Sequence, residues 1–256
     1  MLTEERRGAI VSLLQAKGKV QVKDLSQRFA TSEVTIRTDL KELHQRGLVY
    51  KSHGGAVLPA LVAGINEPTL KEKSSRRIDE KAHIGIAAAE LIKDGETIIL
   101  DSGTTTHEIA RRIKERKDLT VITNGVNIAT ELDGNRNIQI ILLGGILRHG
   151  SLSVVGHFAE EILAQLTADK LFIAADGITL EHGISTPKFE ESRINQAMVA
   201  ISREKYLVAD SSKFGKNSLS RIVSLWEMDG VISDKNLSLE YQEEIKSRGL
   251  SLVLTD

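Results

Sequence analysis

Five polar segments of the sequence each follow a short apolar run, and their residue types suit the binding of an anion. In the first, Asp101–Thr106, an acid and a glycine are accompanied by four hydroxyl side chains. If a helix begins after Gly103, its free backbone N–H groups and these hydroxyls would hold a phosphate. Lys213, in the last segment, would add a compact positive charge. The segments are 101–106, 123–125, 144–145, 176–177 and 210–213.

These polar segments also allow a purely structural interpretation, because hydroxyl side chains commonly cap helices. For segment 101–106 alone, the two interpretations have equal weight. Five segments at the carboxyl ends of predicted strands favour a binding site, since those ends meet at one edge of a parallel sheet. Neither GxGxxG nor GxxxxGK[ST] occurs, which argues against a nucleotide. The candidate ligand-binding residues are Asp101, Ser102, Gly103, Thr104, Thr105, Thr106, Asn124, Gly125, Gly145, Asp176, Glu191 and Lys213.

Apolar runs and amphipathic stretches alternate from residue 79 to the end of the sequence. This alternation predicts an α/β domain with a mainly parallel sheet and helices on both of its faces. The predicted strands are 97–100, 119–122, 138–143, 170–174, 205–209, 230–232 and 251–254. The predicted helices are 107–115, 158–166, 192–201 and 239–248, after a first helix that carries Ile84, Ala87, Ala88 and Leu91.

The first 57 residues have the pattern of a winged helix-turn-helix. A first helix ends at Gly18, a second is predicted over 23–29, and a third, capped by Ser32, over 33–46. A strand and a turn at Gly54-Gly55 follow and would form the wing. In such a fold the third helix enters the major groove of DNA.

The exposed face of the predicted third helix carries side chains that suit contacts with DNA. Arg37 can form a bidentate pair with a guanine edge, and Thr35 suits a phosphate or a thymine methyl group. The wing would lie over the DNA backbone or the minor groove. The candidate DNA-binding residues are Ser32, Thr35, Arg37, Thr38, Lys41, Lys51 and His53. The helix spacing alone fits a non-DNA interaction module with solvated charges equally well.

Composition and charge indicate the compartment and the domain organisation. The sequence has no cysteine, no apolar run of 18 residues and early acids instead of a signal peptide, so we expect a cytoplasmic protein with no membrane partner. Residues 1–57 hold 10 Lys/Arg and 6 Asp/Glu, whereas residues 58–256 hold 24 and 29. A basic head on an acidic body is typical of modular DNA-binding proteins. We therefore predict a DNA-binding domain over 1–57, a linker over 58–78 and a ligand-binding domain over 79–256.

The residues of common catalytic and metal sites do not occur at the spacing that such sites need. The sequence has neither HExxH nor Gly-x-Ser-x-Gly. We expect no metal, no cofactor and no catalytic residue, and surface or capping roles for the histidines of the body. These histidines are His83, His107, His149, His157 and His182.

The motifs of the head together resemble the DeoR family of sugar-metabolism repressors. The resemblance rests on Arg6-Arg7 in the first helix, on TIR-x-DL at 35–40 and on HGGA at 53–56. It implies a transcriptional repressor that binds double-stranded operator DNA as a homo-oligomer, a dimer or a tetramer. Two residues depart from the family pattern, because Thr38 replaces a common arginine and Lys51 replaces the usual arginine of the wing. The operator sequence therefore does not follow from the resemblance.

The body resembles the C-terminal sensor domain of the same family, which is similar to ribose-5-phosphate isomerase. Ala174–Gly177 resembles the GADE segment of the isomerase, and Ala209–Lys213 resembles its ADASK segment. Glu190–Arg193 lies near the start of its acid-bearing helix. Gly177 stands where the isomerase has an acid, and the loss of an acid/base group implies that a phosphosugar is bound without turnover.

Two functions follow from the resemblance, a repressor controlled by a phosphorylated sugar and an isomerase-like enzyme with a helical head. The helix-turn-helix pattern and Gly177 favour the repressor. We expect the phosphate to contact Ser102–Thr106 and Lys213, and the acids Asp101, Asp176 and Glu191 to contact sugar hydroxyls, since acids repel a phosphate. The stretch DSGTTT-x-EIAR is similar to the N-acetylgalactosamine-type repressors of the family. The sequence does not distinguish an inducer from a co-repressor.

Overall fold

The computed structural model describes residues 3–45, 48–52, 54–57 and 68–256. These residues group into two compact units. The first contains the described residues up to Val57 together with Lys216–Leu219, and the second contains residues 68–215 and 220–256. We call them the head and the body.

The head is a winged helix-turn-helix, as the sequence predicted. Its helices are α1 (Thr3–Lys17), α2 (Val22–Arg28) and α3 (Glu33–Gln45), and its strands are β1 (Lys19–Gln21), β2 (Tyr50–Ser52) and β3 (Gly55–Val57). The strands pair antiparallel in the order β1-β3-β2. Ile10, Leu14, Ile36 and Leu40 are completely buried between the helices. Their spacing on α1 and α3 is the apolar stripe of an amphipathic helix.

Two glycines make the wing possible. Gly54 has a φ of +80°, in the left-handed region that favours glycine. A Cβ atom on Gly55 would lie 2.1 Å from the carbonyl oxygen of Val20, because β3 runs close to β1 at this point. In the HGGA motif, the backbone conformation therefore explains the glycine at 54, and the close approach of β1 and β3 explains the glycine at 55.

An ion-pair cluster ties the first helix of the head to the third. Asp39 is 2% exposed and accepts hydrogen bonds from Nε of Arg6, at 2.6 Å, and from Nε of Arg7, at 3.0 Å. Since both arginines belong to α1 and Asp39 to α3, the cluster fixes the orientation of α3 relative to α1.

The body is built on a seven-stranded sheet in which all the pairings are parallel. The strands are β4 (Thr97–Leu100), β5 (Leu119–Thr123), β6 (Ile138–Leu142), β9 (Ala168–Ile173), β12 (Ser202–Val208), β14 (Gly230–Asp234) and β15 (Ser251–Thr255). Their order in the sheet is β15-β14-β12-β9-β4-β5-β6. The prediction of a mainly parallel sheet is confirmed, and each of the seven predicted strands overlaps one of these.

Helices cover both faces of the sheet, because successive side chains of each strand point to opposite sides. The helices of the body are α4 (Leu70–Ser74), α5 (Ile78–Glu90), α6 (Thr104–Arg112), α7 (Val126–Leu132), α8 (His157–Leu163), α9 (Phe189–Ala200) and α10 (Leu239–Ser247). Ile98 and Leu100 pack with α5, α6 and α7, whereas Ile99 packs with α8, α9 and α10. Two one-turn 3-10 helices span Ser211–Lys213 and Leu225–Glu227.

Several elements of the body were not predicted from the sequence. α4 lies inside the segment 58–78 that the sequence analysis assigned to a linker, and Thr69 and Glu72 form a capping box at its start. α7 has only seven residues. The small antiparallel strands are β7 (Ile146–Arg148), β8 (Ser153–Val155), β10 (Gly177–Thr179), β11 (Gly183–Thr186) and β13 (Ser220–Arg221).

Candidate functional site

The reading helix α3 presents the predicted DNA-binding side chains on its solvent face. Arg37 is half-exposed and forms an ion pair with Glu33 one turn earlier, at 3.0 Å. Thr38 is exposed, and its hydroxyl donates to the carbonyl oxygen of Val34 at 3.0 Å. Lys41 is exposed on the same helix. These side chains are therefore accessible to a DNA groove.

The turn before α3 is organised by Ser32. Its Oγ accepts the backbone N–H of Thr35 at 3.1 Å and lies 2.9 Å from the Thr35 hydroxyl. This is the N-cap that the sequence predicted. Of the predicted wing residues, Lys51 lies in β2, and His53 lies outside the described residues.

The second candidate site is a cavity at the point where the strand order of the sheet reverses. β4 and β9 are neighbours, but the chain continues from β4 to β5 on one side, and from β9 to β12 on the other. Asp101 directly follows β4, and Asp176 lies three residues after β9. Crevices at such switch points, beyond the carboxyl ends of the strands, are where open α/β sheets bind ligands.

Eight of the twelve predicted ligand-binding residues line this cavity, together with eight that were not predicted. The predicted ones are Asp101, Ser102, Gly103, Thr104, Thr105, Asp176, Glu191 and Lys213. The others are Leu70, Lys73, Lys81, Ser151, Ala174, Ala175, Thr186 and Asn195. The cavity therefore combines three lysines, three acids and the start of α6.

The three lysines converge on one side of the cavity. Nζ of Lys73 lies 3.0 Å from Oδ1 of Asp176, and Nζ of Lys213 lies 3.3 Å from the same oxygen. Although burial raises the pKa of Asp176, the two lysines outweigh this effect and hold that pKa below its usual range. Asp176 is therefore a carboxylate that occupies a position suited to an anion.

Lys81 is the most buried of the three lysines, at 5% exposure. Its Nζ donates to the carbonyl oxygens of Lys73, at 2.5 Å, and Arg76, at 2.7 Å. Burial lowers the pKa of Lys81 to about 8. Because the two carbonyls use two of its three N–H donors, one donor remains for a ligand.

Asp101 is a buried acid with an incomplete set of hydrogen bonds. Its Oδ2 accepts the backbone N–H of Ala174 at 3.0 Å, while Oδ1 has no partner among the described residues. Burial raises the pKa of Asp101 to about 7. A ligand hydroxyl at Oδ1 would complete its hydrogen bonding.

Glu191, by contrast, has partners on both of its carboxylate oxygens. Oε1 accepts from Arg148 and from the Ser153 hydroxyl, the latter at 3.0 Å, and Oε2 accepts from the Thr186 hydroxyl at 3.0 Å. Arg148 neutralises its charge. These contacts fix the carboxylate in one orientation at the wall of the cavity.

The start of α6 offers fewer free donors than the sequence suggested. The N–H of Ser102 is already bonded to Oδ1 of Asn124, at 2.9 Å. The hydroxyl of Thr106 donates to the carbonyl oxygen of Asp101 at 2.8 Å and is buried. The first-turn N–H groups, which have no acceptor within their own helix, and the hydroxyls of Thr104 and Thr105 are left for an anion.

Four predicted ligand-binding residues do not line the cavity, and their observed contacts are structural. Thr106 and Asn124 make the hydrogen bonds described above, and Asn124 also donates to the carbonyl oxygen of Val154. A Cβ atom on Gly125 would lie 3.2 Å from Cα of Ser102, so this glycine allows two loops to approach. A Cβ atom on Gly145 would lie 2.5 Å from the carbonyl oxygen of Val155. Close packing explains both glycines without a ligand.

Three polar residues of the cavity, Lys73, Lys81 and Asn195, were not predicted from the sequence. The burial of Lys81 could have been predicted from its spacing, because it lies three residues before Ile84 and seven before Ala88, on the buried face of α5. A lysine at such a position needs polar partners or a ligand. Asn195 is 7% exposed on α9.

Two family models match this chain, and together they cover most of it. A model of the DeoR-like helix-turn-helix domain matches residues 6–60, and a model of the DeoR C terminal sensor domain matches residues 76–235. No helix in the described parts of the chain has the length and apolar character needed to cross a membrane.

Curated relatives match along nearly the whole chain. A putative aga operon transcriptional repressor of Escherichia coli O157:H7 is 37% identical over 98% of this chain and 94% of its own length. The HTH-type transcriptional regulator GlpR of Haloferax volcanii is 36% identical over 99% of this chain and 98% of its own. A lactose phosphotransferase system repressor of Staphylococcus epidermidis is 35% identical over 95% and 96%.

Among solved structures, the similarity extends over about half of the chain. Ribose 5-phosphate isomerase A of Methanocaldococcus jannaschii has a TM-score of 0.40 and 16% identity over 54% of each chain. The translation initiation factor eIF-2B of Pyrococcus horikoshii has a TM-score of 0.43 and 20% identity over 61% of this chain and 63% of its own.

Proposed function

This chain belongs to the DeoR family of helix-turn-helix regulators, and we propose that it represses a carbohydrate uptake or catabolism operon under the control of a phosphorylated sugar. The observation that carries the proposal is the meeting of Lys73, Lys81 and Lys213 at one cavity beside the start of α6. The relatives named above as repressors of the aga operon and of a lactose phosphotransferase system support the carbohydrate assignment.

The charges of the cavity favour a phosphate over a neutral sugar. Asp176 is the acid that faces two of the lysines, and Arg148 compensates Glu191. The raised pKa of Asp101, about 7, leaves this acid largely protonated below neutral pH. A phosphate would take the place of Asp176 beside the lysines and accept hydrogen bonds from the start of α6.

We infer that the sugar is bound and not converted. A general base must be free to take a proton from the substrate. Glu191 is already an acceptor for Arg148, Ser153 and Thr186, and Gly177 supplies no acid. Asp101, the acid with an unpartnered oxygen, is largely protonated below neutral pH and is then not a base. Incubation of the protein with pentose and hexosamine phosphates tests this inference, since any turnover would contradict it.

The contacts of α4 support a response of this helix to the ligand. α4 is the first described element after residue 57, and its Lys73 reaches the cavity. The turn behind it is held by Lys81 at the carbonyls of Lys73 and Arg76, and Arg77 adopts a left-handed φ of +53°. A phosphate that attracts Lys73 and Lys81 would loosen this strained turn and shift α4.

We further propose that the protein binds its operator as a homo-oligomer, a dimer or a tetramer. Helix-turn-helix proteins commonly read paired half-sites, which requires two heads. Ile146, Phe158 and Phe189 are large apolar side chains that are more than 60% exposed on the body, and a second copy would cover them. Light scattering on the full chain tests this, and a monomer that still binds the operator would contradict it.

The proposed function is tested by two assays on the same protein. A phosphorylated sugar should raise the melting temperature, whereas its unphosphorylated parent should not, because only a ligand of the native state stabilises it. The same sugar should change operator affinity in a gel shift at fixed salt, and operator DNA should change sugar affinity by the same factor. Equal stabilisation by the unphosphorylated sugar would contradict the proposed phosphate site. A protein that does not bind DNA in the gel shift would contradict the proposal that it is a repressor.

A further inference from the structure

We propose that Val34 determines part of the sequence specificity of this protein by contacting the methyl group of a thymine in the operator. Val34 was not among the residues that the sequence predicted to contact DNA. This inference rests on the proposed function, because it takes α3 to be the helix that enters the major groove.

The exposure of Val34 is the first step of the argument. At 72%, it is the most exposed large apolar side chain in the described parts of the chain. It belongs to the first turn of α3, which begins at Glu33. A valine that is so exposed contributes little to the core, and its branched Cβ lowers the helix propensity. The stability of the head therefore does not explain a valine at this position.

Val34 lies on the same side of α3 as the predicted DNA contacts. Arg37, Thr38 and Lys41 follow it at i+3, i+4 and i+7, and all four side chains are exposed. This spacing places them along one face of the helix. In a helix-turn-helix, the residues at the N-terminal end of the reading helix contact the base edges. Val34 is the first of the four, so it lies where bases are read.

Thr38 extends the apolar surface that Val34 offers. Its hydroxyl donates to the carbonyl oxygen of Val34 at 3.0 Å, so that this donor is used within the helix while the methyl group of Thr38 is not. Side chains four residues apart are neighbours on a helix, with Cβ atoms about 5–6 Å apart. The methyl groups of the two residues therefore form one small apolar patch on the reading face.

Thr35 suits a thymine methyl group less well than Val34 does. The sequence analysis named Thr35 as a candidate for this contact, but the side chain is only partly exposed. Its hydroxyl lies 2.9 Å from the hydroxyl of Ser32, within the cap of the helix. The structure therefore favours Val34 for the apolar contact.

The chemistry of the major groove identifies the base. Thymine alone presents a methyl group there, whereas cytosine presents an amino group and guanine presents two acceptors. A valine against the methyl group buries apolar surface of both molecules. Against the other bases it would cover polar groups that it cannot satisfy, which costs free energy. Val34 should therefore favour thymine at the position that it contacts.

The test begins with a DNA sequence that the full chain selects from a pool of random duplexes. Each thymine of the selected duplex is then replaced singly by uracil, which keeps the base pair and lacks only the methyl group. Fluorescence anisotropy at fixed salt measures the affinity. At the thymine contacted by Val34, uracil should weaken binding about fourfold, as expected for the loss of one buried methyl-sized group.

A variant of Val34 connects this methyl group to its protein partner. Val34→Ala should weaken binding of the thymine duplex about fourfold or more, and uracil at the same position should then change its affinity less than twofold, because both changes remove one contact. Val34→Ile keeps a branched apolar side chain and should retain the effect of uracil. The matched control is Leu239→Ala, which removes a side chain of the body with 71% exposure and should leave both affinities unchanged.

The possible outcomes separate this inference from the proposed function. An effect of uracil that is the same in the wild type and in Val34→Ala at every position would overturn the inference and leave the repressor intact. The same holds if Val34→Ala weakens the thymine and uracil duplexes equally, since Val34 would then act through another contact, such as one with a second protein. If the full chain binds none of the random duplexes, the repressor and this inference are both wrong. A melting temperature of Val34→Ala equal to that of the wild type shows that the variant is folded.

Discussion

Lys73 and Asp176 are 103 residues apart in the sequence, yet Nζ of the lysine lies 3.0 Å from Oδ1 of the acid. Because the acid competes with any anion for this lysine, the two side chains should have opposite effects on phosphate binding. Lys73→Ala should weaken the binding of inorganic phosphate at least tenfold, and Asp176→Asn should strengthen it. Calorimetry measures both, with the exposed Lys246→Ala as control. Weaker binding in Asp176→Asn would show that the carboxylate does not compete.

Arg37 and Lys41 share the exposed face of α3 but should contact different parts of the DNA, a base edge and a phosphate respectively. Arg37→Ala should cost about 1–3 kcal/mol at the cognate operator and little on random DNA, because a bidentate contact to guanine is specific. Lys41→Ala should weaken all DNA alike and reduce the salt dependence of binding, as expected for a phosphate contact. Gel shifts over a salt series measure both effects. An equal loss on operator and random DNA in Arg37→Ala would contradict base reading.

Asp39 should be important for the stability of the head. Asp39→Asn removes the buried negative charge and replaces one of the two accepting oxygens by an NH2 donor that faces an arginine, so the head should lose about 2–4 kcal/mol. Hydrogen exchange of the α1 and α3 amides measures this loss. The control is Glu4→Gln, which removes an exposed partner of Arg7 and should cost about 0–1 kcal/mol. Equal protection of these amides from hydrogen exchange in both variants would contradict a stabilising role for the ion pairs of Asp39.

Asp101 should make the stability of the body depend on pH. Its pKa rises from 3.8 to about 7 on folding, so the native state keeps a proton that the unfolded state loses in this interval. A rise in pH therefore favours unfolding, and the wild type should lose about 2–3 kcal/mol relative to Asp101→Asn between pH 5 and pH 7. Above pH 7 the difference should level off. Urea unfolding followed by Trp226, the single tryptophan, measures it, and parallel pH curves would contradict the prediction.

Most of the architecture was predictable because its signals are local. Apolar runs such as 97–100 and 251–254 are bounded by polar turns. Ser32 and Gly18 are residue types that commonly begin and end helices. α4 was missed although Thr69 and Glu72 have the spacing of a capping box, because the charged residues around them bury no apolar face. Helix α7 was missed because three of its seven residues, Val126, Ile128 and Thr130, are β-branched, which lowers helix propensity.

The candidate site was predictable only in part, since its assembly depends on strand order. Asp101 and Asp176 were found because each follows a strand, but the pairing of β4 with β9 cannot be derived from local patterns. Lys73 reaches the cavity from a segment that resembled a linker. Asn124 and Thr106 have the residue types of ligand contacts, yet their hydrogen bonds go to the loop that forms the site. The contact of these residues with a ligand stays a prediction.

The pairing of β4 with β9 also has a consequence for the order of folding. Ile98 pairs with Lys170, so the middle of the sheet closes only after more than 70 further residues have left the ribosome. Until then β4 has an unpaired edge, which is a hazard for aggregation. The head has its own core and needs none of these residues for it, so a nascent chain acquires its DNA-reading surface before the sensor that controls it. A chain released before its body is complete would therefore carry a folded head without the body that pairs two heads in the proposed oligomer, and we expect it to bind an operator more weakly than the full protein.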